Sequence, residues 1–302
     1  TAAAGTCWRR STCAWSGRRS IASTAQAGPL TNVNVFGPGG AAIATNVSAF
    51  DWNEAGSGLA VGKGPLGTDP TAAPNPFTLL YQSNLVSFTG DTTPLSGLNA
   101  GFGSGGYEFT IASSFVENAV NIGPSTVQLT PVPFSGTVSI FYDDANQGGT
   151  QSDIAAGTGF TDGLEIARFE ITGGTSTFTL IDPVTGLGST NFHFDVTSAP
   201  LFVNSDFITG VLGNVMDLHF VSNQNAPTGT STTVSFHDGG LYPVTPVTGQ
   251  DLLLKVDGAS QFSYAVPEPD SLALLAIGLL GFGFIGMRRG NKAKGTAIGS
   301  FA

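Results

Sequence analysis

The densest ligand chemistry in this 302-residue chain is Asp143-Asp144-Ala145-Asn146-Gln147-Gly148, followed by Asp153 and Asp162. Ca²⁺ takes roughly six to eight oxygen ligands at about 2.3–2.6 Å, and Asp and Asn spaced through a Gly-containing loop can wrap one. Asp143, Asp144, Asn146, Asp153 and Asp162 are therefore candidate Ca²⁺ ligands. No cofactor is required, and Ca²⁺ is the one that the residues bring into question. EF-hand spacing is not met, because the residue at the closing position of a loop begun at Asp144 is Ala155 rather than Glu. The same residues also make an Asp/Asn/Gly turn at a strand end, with side chains accepting backbone N–H bonds. Both readings stand at this point.

Elsewhere the chemistry thins out. His193, His219 and His237 each fall in a strand-like run, and none has a second His or a Cys at metal-ligand spacing along the chain. No His-Glu-x-x-His, Gly-x-Ser-x-Gly or Gly-x-x-x-x-Gly-Lys motif occurs. A glycoside hydrolase needs two carboxyl groups about 5–10 Å apart, and Glu108 or Glu165 would supply the acid. Acids are numerous enough that such pairs arise by chance, and no enzyme is expected. Trp52, Tyr81, Tyr107 and Tyr242 offer flat faces to a sugar ring, and each also suits the core or its rim.

Strands must position these residues. Runs rich in Phe, Val, Ile, Thr and Tyr, broken by Gly/Pro/Asn/Asp clusters, predict strands at Phe77–Phe88, Tyr107–Ala112, Val127–Leu129, Thr137–Tyr142, Glu165–Ile171, Thr177–Ile181, Asn191–Val196, Asp217–Val221, Thr232–Phe236, Asp251–Val256 and Gln261–Val266. Phe192, Phe194 and Val196 alternate with His193 and Asp195, which makes one face buried and the other wet. Asp182-Pro183, Asp238-Gly239-Gly240 and Asp257-Gly258 read as turns, and Thr92–Gly106 and Gln147–Gly159 as surface loops. With no βαβ alternation, the expected fold is all-β: a single antiparallel β-sandwich or jelly-roll-like domain over residues 28–265.

Only 11% of residues are charged and 42 are Gly, yet 22 Phe supply apolar area for a core. Between Gly28 and Ala265, 19 acidic residues stand against Lys63, Arg168 and Lys255, a formal net of −16. Such a surface repels nucleic-acid phosphates and anionic membranes and favours divalent cations or neutral polysaccharide. No nucleic-acid partner is expected. Cys7 and Cys13 are the only cysteines, so residues 28–265 use neither disulfides nor thiol chemistry. Residues 1–27 read as a remnant or mistranslated signal region. Ala25-Gln26-Ala27 has the small-x-small pattern of a signal peptidase site, but the run before it lacks the apolar stretch that a signal peptide needs.

The far end is organised differently. Pro267-Glu268-Pro269 precedes an uncharged run from Ser271 to Met287, and Arg288-Arg289 follows. As a helix the run would measure about 25 Å, just short of a ~30 Å hydrocarbon core. The basic cluster at its end keeps that end in the cytoplasm and puts the preceding domain on the far side of the membrane. This order resembles the PEP-CTERM sorting signal of bacterial surface proteins, matching it at Pro267, Glu268, Pro269, Arg288 and Arg289. The resemblance implies a sorting signal with a short transmembrane helix over residues 266–290, a cytoplasmic tail over 291–302, and a membrane-embedded exosortase as partner. Phe50-Asp51-Trp52, the run Phe77–Leu85, Gly106–Thr110 and Gly157–Gly163 are in turn similar to stretches of the flocculation-associated PEP-CTERM proteins.

Together these readings predict a protein exported across the inner membrane, anchored transiently by its tail, and delivered to the cell surface or extracellular matrix. There it would act structurally or adhesively in biofilm or floc formation, with extracellular polysaccharide as partner. A carbohydrate-binding module with a defined sugar site is the alternative, and a secreted glycoside hydrolase a more distant one.

Overall fold

The computed structural model of the chain describes residues 33–264 except 65–72, 92, 183–186, 198, 212–213 and 224–230. Strands dominate it. In chain order they are β1 (Val33–Phe36), β2 (Ala42–Val47), β3 (Ala49–Trp52), β4 (Gly56–Ala60), β5 (Phe77–Thr89), β6 (Tyr107–Gly123), β7 (Thr126–Pro131), β8 (Thr137–Asp144), β9 (Leu164–Gly174), β10 (Ser176–Asp182), β11 (Leu187–Val196), β12 (Phe202–Val203), β13 (Ile208–Thr209), β14 (Asn214–Asn223), β15 (Ser235–Phe236), β16 (Thr245–Pro246) and β17 (Leu252–Tyr264). All pairings between them are antiparallel.

Most strands join one 12-stranded sheet, and its ladder closes on itself. From β6 the hydrogen bonds pass through β8 and β9, or through β7 and β10, to β11. They continue through β14 and β17 to β3 and β4, and from both of these to β5, which pairs with β6 again. Closure leaves few bare strand edges, the usual liability of an antiparallel sheet. Several strands change partner along their length, β5 among them as it passes from β4 to β3. The first half of β6 pairs with β8 and the second with β7. One edge of β11 pairs with β10 and then β9, and one edge of β17 pairs with β4 and then β3.

That last switch corrects an expectation. Asp257-Gly258 is not a turn but lies inside β17, opposite Val221 and Phe220 of β14. The β4 pairing ends at Val256 and the β3 pairing begins at Ala259, so this turn-like dipeptide marks a change of partner and not a reversal of the chain. The two strands expected there are one. Likewise β6 runs eleven residues beyond its predicted end, to Gly123. Val33–Phe36, Ala42–Val47, Ala49–Trp52 and Gly56–Ala60 are strands that the periodicity did not single out.

Alternation does set the inner face. Phe109, Ile111 and Phe115 of β6, Val138, Ile140 and Tyr142 of β8, and Phe192, Phe194 and Val196 of β11 all point into one core. The small sheet β13-β1-β2 adds Val33, Val35, Ala44, Val47 and Ile208 to it. Trp52 is buried, stacks on Phe50 and donates its indole N–H to Ser260 Oγ at 2.7 Å. Among the described residues no helix is long and apolar enough to cross a membrane. The span expected at 271–287 and the segment 1–27 lie outside the described residues.

Phe109 has no exposed surface and meets Phe88, Tyr107 and Tyr142 edge-on at ring distances of 5.7, 5.9 and 5.3 Å. Phe109→Ala is expected to lower unfolding free energy by about 3–5 kcal/mol, the usual cost of an unfilled aromatic site. Urea denaturation checks this, and an unchanged midpoint would contradict the placement of Phe109 at the core centre.

Candidate functional site

The outer face of β4, β5, β6 and β8 is covered as well. A strap of residues 231–242 crosses these strands in order. Ser231 and Thr233 bond Ser57 of β4, Phe236 packs on Leu59 and Leu80, and Tyr242 packs on Ala112 and Phe141. Gln82 of β5 fixes the middle, its Oε1 accepting the His237 amide at 2.9 Å. The segment 145–163 lies alongside. Ile154 and Ala155 carbonyls accept from Thr233 Oγ1 and the Val234 amide, and Thr110 Oγ1 of β6 donates to the Phe160 carbonyl at 2.7 Å. Gly157 belongs here, since its φ is +74° and any Cβ would strike the Ser235 carbonyl.

Carboxylates tie this covering down. Asp238 accepts the amides of Gly159, Phe160 and Thr161 at 3.0, 2.8 and 3.1 Å. Glu108 of β6 takes the Ser152 amide and hydroxyl at 2.8 and 2.7 Å. Asp162 takes the Thr150 amide and hydroxyl at 2.8 and 2.9 Å. Asp143 stands opposite Glu108 across the β6–β8 ladder, is only 2% exposed, and leaves Oδ2 without a hydrogen-bond partner. Gly149 presses against that carboxylate, and a side chain there would collide with it.

These acids shift one another. Burial pushes Glu108 up to about 7, with the charges of Asp143 and Asp162 adding to the shift and the bonds from Ser152 opposing it. Burial also pushes Asp143 up to about 6, assisted by Asp162 and Asp144 and opposed by backbone amides. On the inner face Glu117 has no exposed surface and no partner for either carboxylate oxygen, and burial lifts it to about 8. His237 goes the other way, lowered by burial to about 4.

The structure thus brings together Asp143, Asp144 and Asp162 of the residues read as Ca²⁺ ligands, and adds Glu108 to them. Asp144 and Asp153 are engaged in their own turns. Asp144 Oδ1 accepts the Asn146 amide at 2.7 Å, and Asp153 Oδ1 accepts those of Ala155 and Ala156 at 2.9 and 3.1 Å. Asp143 and Asp144 are the last residues of β8 rather than part of the loop. Among the described residues no group of three His, Cys, Asp or Glu is arranged to hold a metal ion. Glu165 lies elsewhere, on β9, where it accepts the Ser139 hydroxyl at 2.7 Å and pairs with Arg168. Of the aromatics offered to sugars, Trp52, Tyr81 and Tyr242 are buried and present no face to a ligand, while Tyr107 is partly buried.

Pro267, Glu268, Pro269, Arg288 and Arg289 lie outside the described residues. A family model, the PEP-CTERM protein-sorting motif, matches residues 265–289. The tail is a PEP-CTERM sorting motif. This supports a PEP-CTERM domain-containing protein, and the motif implies export, membrane-associated sorting and processing by an exosortase. The match starts one residue after β17 ends at Tyr264, so the PEP-CTERM motif follows the last strand without a spacer. No curated protein and no solved structure matches the chain.

Two outcomes follow from the buried carboxyls. Loss of Asp238 strands three backbone amides at once, so Asp238→Ala is expected to cost roughly 3 kcal/mol or more. Urea denaturation reads it, and an effect below the error of that measurement would show that the covering does not depend on Asp238. Glu117 and Glu108 keep protons when folded that the unfolded chain, with an ordinary value of 4.5, has released. The native state therefore binds more protons, and stability falls as pH rises through this range. Below about 6.5 the buried His237 acts in the opposite sense, because the unfolded chain then binds the extra proton. Between pH 6.5 and 8 the melting temperature is expected to drop, and Glu117→Gln to remove much of that drop. A melting temperature that is flat or rising over this window would contradict the placement of these acids.

Proposed function

We propose that this chain is an exosortase-sorted surface or matrix protein whose β domain acts structurally or adhesively in exopolysaccharide-associated biofilm or floc formation. The observation that carries the reading is the sorting motif at residues 265–289, which gives the domain an address outside the cytoplasm. On this reading residues 28–265 form one jelly-roll-like unit and the uncharged run 271–287 spans the inner membrane as a short helix until processing. Its basic end, Arg288 and Arg289, stays in the cytoplasm. The domain then reaches the cell surface.

The role is physical rather than catalytic and needs no cofactor. A closed sheet covered by strapped segments resists unfolding outside the cell without disulfides. Its acidic coat contacts neutral polysaccharide, directly or through divalent cations, and does not attract nucleic acid.

Deleting the gene is expected to reduce aggregation and exopolysaccharide retention, and restoring it in trans to recover both. In the same strain, the R288A/R289A variant is expected to accumulate unprocessed in the membrane fraction. Normal flocs in the deletion strain would remove the matrix role. Normal processing of R288A/R289A would remove the sorting role assigned to these arginines.

A further inference from the structure

Near its end β5 breaks its alternation. Asp51 of β3 stands opposite Ser87 and Trp52 opposite Leu85, so Val86 is the extra residue of a β-bulge. Bulges re-aim side chains and are over-represented beside active sites. Here three successive residues, Val86, Ser87 and Phe88, line one notch, which a strand with a strict period of two cannot do. Asp91, Thr93 and Leu95 line the rest of it. The notch is open to solvent and has a volume of about 270 Å³, near the lower end of the roughly 300–1,000 Å³ usual for ligand pockets.

Its walls are held in place by bonds to β2. The Ser48 amide donates to the Thr89 carbonyl at 2.8 Å. Gly90, at φ +99°, passes so close to the Asn46 carbonyl that a Cβ would collide with it. Asp91 Oδ2 accepts the Thr45 amide, and Asp91 Oδ1 accepts the Thr93 amide at 2.7 Å. Leu95 packs against the main core.

Two kinds of surface meet in this lining. Val86, 48% exposed, joins Leu95 and Phe88 as the apolar part, and Ser87, Asp91 and Thr93 are the polar part. The Thr93 hydroxyl and the amides of Thr45 and Thr93 hold Asp91 down to about 2, so its carboxylate stays ionised. An ionised carboxylate has about four acceptor sites, and two amides leave some of them for a donor from outside. Ser87 Oγ donates to Asp51 Oδ2 at 3.0 Å, which turns its own lone pairs to the role of acceptor.

We propose that this notch binds one ring of a neutral polysaccharide, its apolar side against Val86 and Leu95 and its hydroxyls on Asp91, Ser87 and Thr93. A sugar ring combines a C–H face with a rim of hydroxyl donors and carries no charge, and the lining combines an apolar wall with an excess of acceptors. Other ligand classes fit less well. Among the described residues no Lys or Arg lines the notch, and Asp91 and the neighbouring Asp51 repel an anion. A purely apolar molecule would desolvate an ionised carboxylate without bonding it. A bare cation would find one lining carboxylate, already bonded to two amides. The assignment rests on polysaccharide being the partner of the domain and gives that partner a place on it.

The test is saturation-transfer NMR on the full chain, in a detergent whose head group is not a sugar. Cellotetraose, maltotetraose and mannotetraose are the probes, and polygalacturonate is the anionic control. Transfer is expected to at least one neutral tetrasaccharide, strongest on the protons of one ring, and not to the control. V86S removes part of the apolar wall and S87A an acceptor, and each is expected to weaken binding by about three- to tenfold. The V86S/S87A variant is expected to show no transfer, with circular dichroism establishing that it is folded. Should it not fold, nuclear Overhauser contacts between the bound sugar and the Val86 methyl groups of the unaltered protein decide instead. No transfer to any of the three sugars, equal transfer to polygalacturonate, undiminished binding by the folded double variant, or no contact with Val86 overturns the site. Binding is read on the purified protein and the matrix role on the deletion strain, so either can fail while the other stands.

Discussion

A strand buried on both faces cannot turn its polar groups to water, and β6 is such a strand. Its inner face holds Phe109, Ile111 and Phe115, and its outer face is roofed by residues 145–163 and the strap 231–242. Apart from the short strand β15 the roof is irregular, so most of its amides have no ladder to join, and an unpaired buried amide costs about 1–3 kcal/mol. Carboxylates meet that demand. Asp238 serves three consecutive amides, and Glu108 and Asp162 each serve one amide with its own hydroxyl. The acids near the roof are thus first of all hydrogen-bond acceptors for a segment without secondary structure.

The closed ladder imposes the second constraint. In this ring strands of unequal length share neighbours, and the long strands β6, β11 and β17 do so by changing partner midway. Asp257-Gly258 falls at one such change, where β4 gives way to β3. A residue without a side chain suits a strand that must leave one neighbour and meet another, and Gly in a strand commonly marks such irregularity.

This is also why the sequence was legible in some places and not in others. Strands with a simple inner–outer alternation, such as Asn191–Val196, were readable because the period is local. Phe141 was not readable as a buried residue on the polar side of β8, because the strap residue Tyr242 that covers it comes a hundred residues later. Asp257-Gly258 carried the residue types of a turn, and only the pairing of β17 with three other strands shows otherwise. Asp143 and Asp162 were visible as a cluster. Glu108 was not visible as part of it, since the β6–β8 register brings it there. The same holds for His193 and His219, which show no metal-ligand spacing along the chain and are direct neighbours across it. The sorting motif was legible in full, because it is a contiguous stretch.

The placement of the acids changes what the formal charge means. A net of −16 counts every carboxyl between residues 28 and 265 as ionised. Glu117, raised to about 8, is neutral for the most part at pH 7, and Glu108, at about 7, is ionised only in part. Both lie inside, one on the inner wall and one under the roof, so the loss of charge occurs where charge would be most costly. Asp51 and Asp195, by contrast, face outward on strands β3 and β11. The field that a cation or a polysaccharide meets is therefore weaker in total than the count implies.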